Sequence, residues 1–262
     1  MAGPARLCVT NQKGGVGKTT VAINVAGALN ELGRDVLFVD LDPQGNATEG
    51  LGRLEAYDDE PPTLLDALVD PDGVAAEELV YSHPEMDVIT SNIDMNAAAS
   101  TLAQQSAPET HLAELLDRLE SEYEFVVVDC PPHLGVLTDN ALYATENLVI
   151  PALTEPTSKR SLELLFDYVG SLEMEHGLEI EPVALVANRI ETTSEDEAML
   201  EWFDDALPDV PSYRVRKRVA LQRAFTEGRS VFGVDEEIDM ADRFMDVAKR
   251  IDEQLATTGV PA

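Results

Sequence analysis

One short segment near the start of the chain constrains its fold more than any other. Residues 11–20 read Asn-Gln-Lys-Gly-Gly-Val-Gly-Lys-Thr-Thr, between an apolar run at 7–9 and a helical pattern of apolar residues at 21–29. A strand, a glycine-rich turn and a helix in this order are the setting of a phosphate-binding loop. The glycines let backbone amides turn toward a polyanion, and the helix N-terminus adds partial positive charge.

The side chains of this loop suit different parts of a nucleotide. Lys18 can reach the β- and γ-phosphates, and the Thr19 hydroxyl can ligate Mg²⁺. A second lysine, Lys13, precedes the glycines, although a plain phosphate-binding loop does not need that cation. The predicted nucleotide-binding residues of the loop are Gly14, Gly15, Val16, Gly17, Lys18, Thr19 and Thr20.

Acidic residues end two further apolar segments. Residues 35–48 contain a buried-type strand that ends in Asp40 and Asp42, which point the same way because they are two residues apart on a strand. Residues 125–132, Phe-Val-Val-Val-Asp-Cys-Pro-Pro, end a second strand at Asp129. Ligands bind at the carboxyl ends of parallel strands, so the three segments together indicate one nucleotide site.

These segments resemble the deviant Walker-A ATPases, the ParA/MinD/Soj group, and most of all its ParA/Soj chromosome and plasmid partitioning members. The resemblance implies ATP and Mg²⁺ as cofactors, and slow hydrolysis of ATP to ADP and phosphate until a partner stimulates it. It implies an ATP-dependent homodimer in which Lys13 reaches the partner subunit's nucleotide. The implied catalytic residues are Lys13, Lys18 and Asp42, where Asp42 positions or activates the attacking water. The implied metal residues are Thr19, Asp40 and Asp129, partly through water.

Short apolar strands alternate with amphipathic helical patterns along the chain. The predicted strands are 6–11, 35–41, 86–91, 124–130, 147–152, 182–187 and 209–213. The predicted helices are 18–32, 63–69, 95–104, 109–121, 138–145, 158–175, 196–206 and 238–255. This alternation indicates an α/β fold with a doubly wound, mainly parallel sheet flanked by helices on both faces, of the P-loop NTPase type. We expect residues 1–262 to form a single domain with a short flexible tail at about 257–262.

Asn188 follows the predicted strand at 182–187. In the family that the chain resembles, an asparagine near this place reads the adenine edge, since an amide offers both a donor and an acceptor. A turn-forming asparagine is the alternative. The two cysteines, Cys8 and Cys130, lie in apolar strands and are interpreted as small buried residues, because the sequence lacks the cysteine pairs of an iron–sulfur site.

The charge of the chain is extreme, with 50 acids against 18 bases and a net charge of −32. Such self-repulsion destabilises a compact state at ordinary ionic strength, whereas in molar salt the Debye length shrinks to about 3 Å. The pattern, with thirteen arginines and five lysines, resembles cytosolic proteins of extreme halophiles. We expect the fold to require molar salt.

One segment is basic against this background. Residues 214–229 contain six of the 18 bases and a single acid, Glu227. In partitioning ATPases the corresponding region binds DNA without sequence preference, but these arginines can also pair with the chain's own carboxylates or bind an acidic partner protein. The family usually has a proline where Arg216 falls, which makes the match imperfect. The candidate DNA-binding residues are Arg189, Arg214, Arg216, Lys217, Arg218, Arg223 and Arg229.

The leading functional hypothesis is an ATPase that positions or partitions a chromosome, plasmid or large complex by ATP-gated, non-specific DNA binding. It implies a ParB-like or other cargo-bound activating protein as partner. Without a long apolar run or a signal peptide, we expect a cytoplasmic, nucleoid-associated protein with no membrane partner. The alternatives are a MinD-type membrane-positioning ATPase, which requires a basic amphipathic C-terminal helix, and an ATP-dependent metabolic enzyme of the same fold.

Overall fold

A computed structural model describes residues 3–120, 123–236 and 238–256, and the predicted tail at 257–262 lies outside these residues. Eight strands form one sheet in the order β3-β4-β2-β5-β1-β6-β7-β8. All neighbouring strands are parallel except β3 and β4, which pair antiparallel. The strands are β1 (Ala5–Val9), β2 (Val36–Asp40), β3 (Val80–Ser82), β4 (Asp87–Ile89), β5 (Phe125–Asp129), β6 (Asn147–Leu153), β7 (Glu181–Ile190) and β8 (Ser212–Arg216).

Helices cover both faces of this sheet. The α-helices are α1 (Lys18–Glu31), α2 (Asn46–Gly50), α3 (Leu64–Val69), α4 (Ala98–Leu102), α5 (His111–Asp117), α6 (Val136–Thr145), α7 (Thr157–His176), α8 (Ser194–Ala206), α9 (Val219–Thr226) and α10 (Ala241–Leu255). Short 3₁₀ helices lie at Leu54–Asp58, Ala76–Leu79 and Ile93–Ala97. Two separate apolar clusters, one on each face, confirm the predicted doubly wound α/β architecture.

The strands divide their side chains between the two clusters by simple alternation. In β5, Val126 and Val128 pack with the cluster that contains α3 to α8, whereas Phe125 and Val127 pack with α1 and α10. Every residue of β2 and β5 is buried, which explains why both strands read as continuous apolar runs. Cys8 and Cys130 are buried free thiols, as predicted.

The last helix is a core element of the fold. The apolar residues of α10, at the i, i+3, i+4 and i+7 spacing of one helical face, are buried and pack against α1. Its polar face carries both acids and bases. Among the described residues, no helix is long and apolar enough to cross a membrane.

The structure corrects several element boundaries. The strand predicted at 209–213 lies at Ser212–Arg216, because the chain first turns at 207–210 and pairing with β7 begins beyond Pro211. The helix predicted at 95–104 is a 3₁₀ turn followed by the short α4.

Three further differences concern the start of the last helix and two elements that the sequence did not predict. The last helix begins at Ala241, because the buried residues Ile238 and Met240 belong to the turn before it. The edge strand β3 was not predicted, since two half-buried residues and one exposed residue give no periodic signal. The helix α9 was not predicted either, because its short apolar pattern lies among bases.

Two loops from distant parts of the sequence meet backbone to backbone. Gly52 has a φ of 66° and Gly228 a φ of 70°, a region that favours glycine. A Cβ atom on Gly228 would lie 2.9 Å from the Cα atom of Gly52. The contact joins the end of α2 to the end of α9.

Candidate nucleotide site

The sheet brings the three predicted segments to one edge. Strands β2, β5 and β1 are consecutive neighbours, and Asp40 pairs in register with Asp129 at their carboxyl ends. The glycine-rich loop follows β1 directly, beside β5. Residues far apart in the sequence therefore share one edge of the sheet, as expected for ligand binding in this architecture.

The glycine-rich loop is shaped by two left-handed glycines and by an asparagine behind it. Gly15 has a φ of 77° and Gly17, the N-cap of α1, a φ of 90°. The Asn188 amide donates to the Val16 carbonyl at 2.9 Å, and any Cβ atom on Gly17 would collide with that amide. Asn188 thus holds the loop in place from β7.

The side-chain oxygen of Asn188 also has a hydrogen-bond partner. Asn188 Oδ1 accepts a hydrogen bond from the Arg189 backbone at 2.9 Å. One N–H and one oxygen lone pair are left for a base edge. The remaining donor and acceptor of Asn188 leave the expected contact with adenine as a prediction, beside a structural role that the sequence does not reveal.

Asp129 is the acid whose surroundings most resemble a cation site. Its side chain is fully buried, and neither carboxylate oxygen accepts a hydrogen bond from the described residues. Burial raises the pKa of Asp129 well above its usual range, and the Asp40 carboxylate raises it further, while the nearby Thr19 hydroxyl and Lys18 ammonium oppose the rise. An unpaired buried carboxylate is costly, and a divalent cation would satisfy it.

The donor set fits Mg²⁺ better than a metal held entirely by protein. Among the described residues, no group of three or more His, Cys, Asp and Glu side chains is arranged to hold a metal. Mg²⁺ is typically bound by one or two protein oxygens together with water and substrate phosphates. Asp129 and Thr19 are the residues that would hold it here.

Asp40 is bonded within its own segment. It is fully buried and accepts hydrogen bonds from the Thr48 backbone at 2.7 Å, the Thr48 hydroxyl at 2.8 Å and the Asp42 backbone at 3.2 Å. Burial nevertheless raises the pKa of Asp40 to about 7. In this structure Asp40 fixes α2 against the strand end, and its expected part in a metal site stays a prediction.

Asp42 lies in a tight turn between β2 and α2. Its Oδ1 accepts from the Gln44 backbone at 3.0 Å, and the turn is closed by a Gly45 amide that donates to the Asp42 carbonyl at 2.9 Å. Burial raises the pKa of Asp42, against the opposing effects of the Gln44 amide and the Lys18 ammonium. Lys18 is itself only 7% exposed, so both groups lie in the same buried edge.

Lys13 is bound within its own chain. Its Nζ donates to Glu155 Oε2 at 2.6 Å and to Thr157 Oγ1 at 2.7 Å, both near the start of α7. The hydrogen bond from Lys13 lowers the pKa of Glu155. The family resemblance implies that Lys13 reaches the partner subunit's nucleotide, whereas in the single chain its partner is Glu155, which is distant in sequence and belongs to no motif.

A cavity of about 590 Å³ lies beside Asn188, on the α9 side of the loop. Its lining from α9 includes Leu221, Gln222 and Phe225, and Thr20 lies on the opposite side. Three of the candidate DNA-binding residues, Arg189, Lys217 and Arg218, also line this cavity. Gln222 and Phe225 were not predicted, although the apolar spacing of Leu221 and Phe225 is a helical signal that the sequence contained.

A groove of about 560 Å³ lies on the other side of the acids. The turn at Asp42–Gln44 lines it together with residues 131–137 after β5 and parts of residues 95–99. Both borders belong to the segments that follow strand ends at the phosphate site. The groove therefore borders the candidate phosphate site.

Most of the candidate DNA-binding side chains form ion pairs inside the chain. Asp239 binds both Arg216, at 2.9 Å, and Arg218, at 2.8 Å. The other pairs are Lys217 with Glu191 (3.1 Å), Arg223 with Glu236 (3.6 Å) and Arg214 with Asp204 (3.8 Å). These ion pairs agree with the interpretation in which the bases pair with the chain's own carboxylates. These pairs are exposed and weak, so a phosphate could replace the carboxylate.

Comparison with known proteins places the chain in a family. A family model described as an AAA domain matches residues 5–181. Sporulation initiation inhibitor protein Soj of Bacillus subtilis (strain 168) is 34% identical over 250 residues, which cover 94% of this chain and 97% of Soj. The chain belongs to the ParA/Soj/MinD family of deviant Walker-A ATPases. The family resemblance inferred from the loop and the acids is confirmed.

Other members and neighbours of the family share most of the fold. Cell division protein PomZ of Myxococcus xanthus (strain DK1622) is 36% identical over 236 residues, covering 89% of this chain and 73% of PomZ. Cobyrinic acid a,c-diamide synthase from Mycobacterium smegmatis, solved with a bound ATP analog and magnesium, superposes with a TM-score of 0.83. It is 25% identical, and the match covers 99% of this chain and 98% of the synthase. A Mg²⁺-nucleotide thus binds in a relative of nearly the same architecture.

Proposed function

We propose that this chain is a Mg²⁺-dependent, ATP-driven dimerising ATPase that positions or partitions a cargo through ATP-gated, non-specific DNA binding. The observation that carries the proposal is the lysine before the loop, Lys13, beside a phosphate site with an unpaired buried acid, Asp129. A loop that only binds nucleotide has no use for Lys13. Names of relatives that refer to cell division and sporulation support a positioning role.

Each residue of the site has a defined task in this proposal. The backbone amides of Gly14–Thr19 and the Lys18 ammonium bind the phosphates, and Asp129 with Thr19 holds Mg²⁺, which neutralises charge on the transferred phosphoryl group. Asp42 holds the attacking water. The base occupies the cavity between Asn188 and α9.

Lys13 couples hydrolysis to dimerisation. In the single chain it is bound to Glu155, whose side chain is 55% exposed, so the ion pair is weak and can be exchanged. On dimerisation Lys13 would leave Glu155 and reach the partner subunit's nucleotide, where a cation stabilises charge that develops on the γ-phosphate. Slow turnover of the isolated chain and activation by a cargo-bound, ParB-like protein follow from this arrangement.

DNA binding is assigned to the bases around α9. Contacts with four phosphates would lose about 3–4 decades of affinity for each tenfold rise in salt. Arginine suits such a surface because its guanidinium binds phosphate in a bidentate manner, and a dimer doubles the number of contacts. We infer a nucleoid-associated protein whose affinity for DNA depends on its being dimeric.

The decisive experiment is sedimentation of the chain with long non-specific DNA in about 2 M KCl, where charges are screened. The arms are ATP, ADP, and ATP with Lys13→Ala or Arg218→Glu. Binding with ATP alone, lost in both variants, supports the proposal. An ATP-dependent dimer that binds no DNA in any arm, both at about 2 M KCl and at the lowest KCl concentration at which the chain stays folded, would reject the DNA-binding role and transfer the basic surface to a protein partner.

A membrane role is disfavoured by the position of the last helix. A MinD-type anchor needs an amphipathic helix whose apolar face is free, whereas the apolar face of α10 is buried against α1. The metabolic alternative is addressed by the same sedimentation experiment, since an enzyme acting on a small substrate has no reason to bind DNA only with ATP.

A further inference from the structure

The turn that carries Asp42 is covered by an aromatic side chain from a different segment. The Tyr57 hydroxyl donates a hydrogen bond to the Pro43 carbonyl at 2.7 Å. The ring of Tyr57 lies against Gly45, where an added Cβ atom would come within 2.6 Å of the ring carbon Cδ2. Gly45 has a φ of 64°, so its conformation also favours glycine. Tyr57 thus contacts the turn at two points.

Tyr57 is itself attached to the sheet and not to the phosphate loop. It lies in the 3₁₀ helix Leu54–Asp58. The buried Asn92, which comes shortly after β4, donates from its amide to the Ala56 carbonyl at 3.3 Å and to the Asp59 carbonyl at 3.0 Å. The segment therefore has a fixed position that is independent of any nucleotide.

The end of the turn that leads into α2 is held by hydrogen bonds of its own. Thr48 in α2 donates two hydrogen bonds to Asp40, so the position of α2 does not depend on Tyr57. The turn's own carboxylates, Asp40 and Asp42, bond its backbone from within, and the Tyr57 hydroxyl bonds the backbone next to Asp42 from a different segment. Removing it would leave the helix in place and loosen the turn on its Pro43 side.

We propose that Tyr57 is a positioning residue for Asp42, which it holds in the geometry that aligns the attacking water. This inference rests on the proposed ATPase function. A displacement of about 1 Å of a group that orients a reactant can cost about 10²-fold in rate, while binding of the nucleotide phosphates is unaffected. The hydrogen bond of Tyr57 goes to the turn that carries Asp42 and not to the phosphate loop, so we expect its loss to change kcat.

The test compares steady-state ATP hydrolysis by Tyr57→Phe, Tyr57→Ala and the control Tyr81→Phe. Tyr81 donates its hydroxyl to Asp59 at 2.8 Å, so the control removes a similar hydrogen bond from the same segment without touching the turn. We expect kcat to fall about fivefold in Tyr57→Phe, from the loss of one hydrogen bond, and about 10²-fold in Tyr57→Ala. KM for ATP and the ATP-dependent dimer should stay within twofold of wild type, and Tyr81→Phe should behave as wild type.

A second measurement does not depend on catalysis. Hydrogen exchange of the Gln44 and Gly45 amides, both bonded to Asp42, should accelerate in Tyr57→Phe and not in Tyr81→Phe. Equal kcat values for the two phenylalanine variants, or parallel losses of kcat, nucleotide affinity and thermal stability, would overturn the positioning role. A wild-type chain that binds ATP but never hydrolyses it would instead reject the proposed function, and the exchange result would still decide whether Tyr57 orders the turn.

Discussion

Asp239 shows how one exposed acid can control two of the candidate DNA contacts. It receives hydrogen bonds from both Arg216 and Arg218, and the bond from Arg218 lowers the pKa of Asp239. If the chain binds DNA as proposed, the Asp239 carboxylate would compete with a DNA phosphate for both guanidinium groups.

Asp239→Asn should raise the affinity of the ATP-bound dimer for non-specific DNA about two- to fivefold, the range expected for removing exposed ion pairs. Fluorescence anisotropy with a labelled duplex at fixed salt measures it. Asp242→Asn is the charge-matched control, since Asp242 is an exposed acid of α10. Equal gains in both variants would mean that only net charge matters, and Asp239 would have no specific competing role.

His83 gives the stability a pH dependence with a definite sign. Its Nε2 lies 2.9 Å from the Gly228 carbonyl and its Nδ1 accepts from the Glu85 amide, so the neutral tautomer satisfies both nitrogens. Burial lowers the pKa of His83 below 6.5, although the Gly228 carbonyl and the Glu85 carboxylate oppose this, while Arg229 and Arg53 add to it. Below pH 6.5 the unfolded chain therefore binds more protons than the folded one.

The free energy of unfolding should consequently fall as the pH drops from about 6.5 toward the lower pKa of the folded state, by at most about 1.4 kcal/mol per pH unit from this group. His83→Gln retains a donor for Gly228 but cannot titrate, so it should flatten this part of the curve. Urea unfolding of both proteins between pH 5 and 7.5 measures the difference. Parallel curves would assign the pH dependence to other groups.

At the scale of elements, α2 and α9 are packed too closely for a side chain between them. A Cβ atom on Gly50 would lie 2.6 Å from Cδ2 of Phe225 and 2.9 Å from Cδ1 of Ile23. The helix that follows the Asp42 turn is thereby in contact with the helix that lines the base cavity. Helices α2 and α9 therefore either move as one unit or lose this contact when one of them moves.

Gly50→Ala should destabilise the nucleotide-free chain by about 1–3 kcal/mol, the usual cost of overpacking. Gly170→Ala in α7 is the matched control, because nothing lies within 4 Å of its added Cβ atom, and it should stabilise by about 0.5–1 kcal/mol through helix propensity. Combining Gly50→Ala with Phe225→Leu should recover part of the loss in urea unfolding. Strict additivity of the two changes would show that Phe225 is not the obstacle.

The elements also show what could be predicted from the sequence and what could not. The loop at 11–20, Asp40 and Asp129 were predicted because each belongs to a local pattern that ends a strand. The partners of Lys13, Tyr57 and Asp239 were not, since they come from distant segments and depend on how loops pack. The helix α9 was not predicted, because its eight residues give a short apolar pattern that directly follows a run of bases.

For the whole molecule, the net charge of −32 sets the response to salt. Several acids pair with the available bases, but 50 acids cannot all be neutralised by 18 bases. The remaining repulsion is spread over the surface and acts over distances that salt screens. The requirement for molar salt stays a prediction of the composition.

The thermal midpoint should rise steeply between low and about 2 M KCl, as the repulsion between acids is screened. The rise should be smaller at about pH 5, closer to the sequence pI of about 4.2, because fewer acids are then charged. Differential scanning calorimetry at both pH values measures it. Unfolding curves that do not change with KCl would reject the halophilic interpretation.

The meeting of Gly52 with Gly228 has a consequence for how such a chain can be varied. Gly228 cannot accept a side chain while the Gly52 loop keeps its path, and the positive φ of Gly52 also favours glycine, although the two positions are encoded far apart. A hybrid gene that takes its last third from a relative must therefore bring compatible residues at both places, or the two parts will not close on each other. The first and last segments of this protein must therefore vary together, because they meet at two glycines that have no side chains.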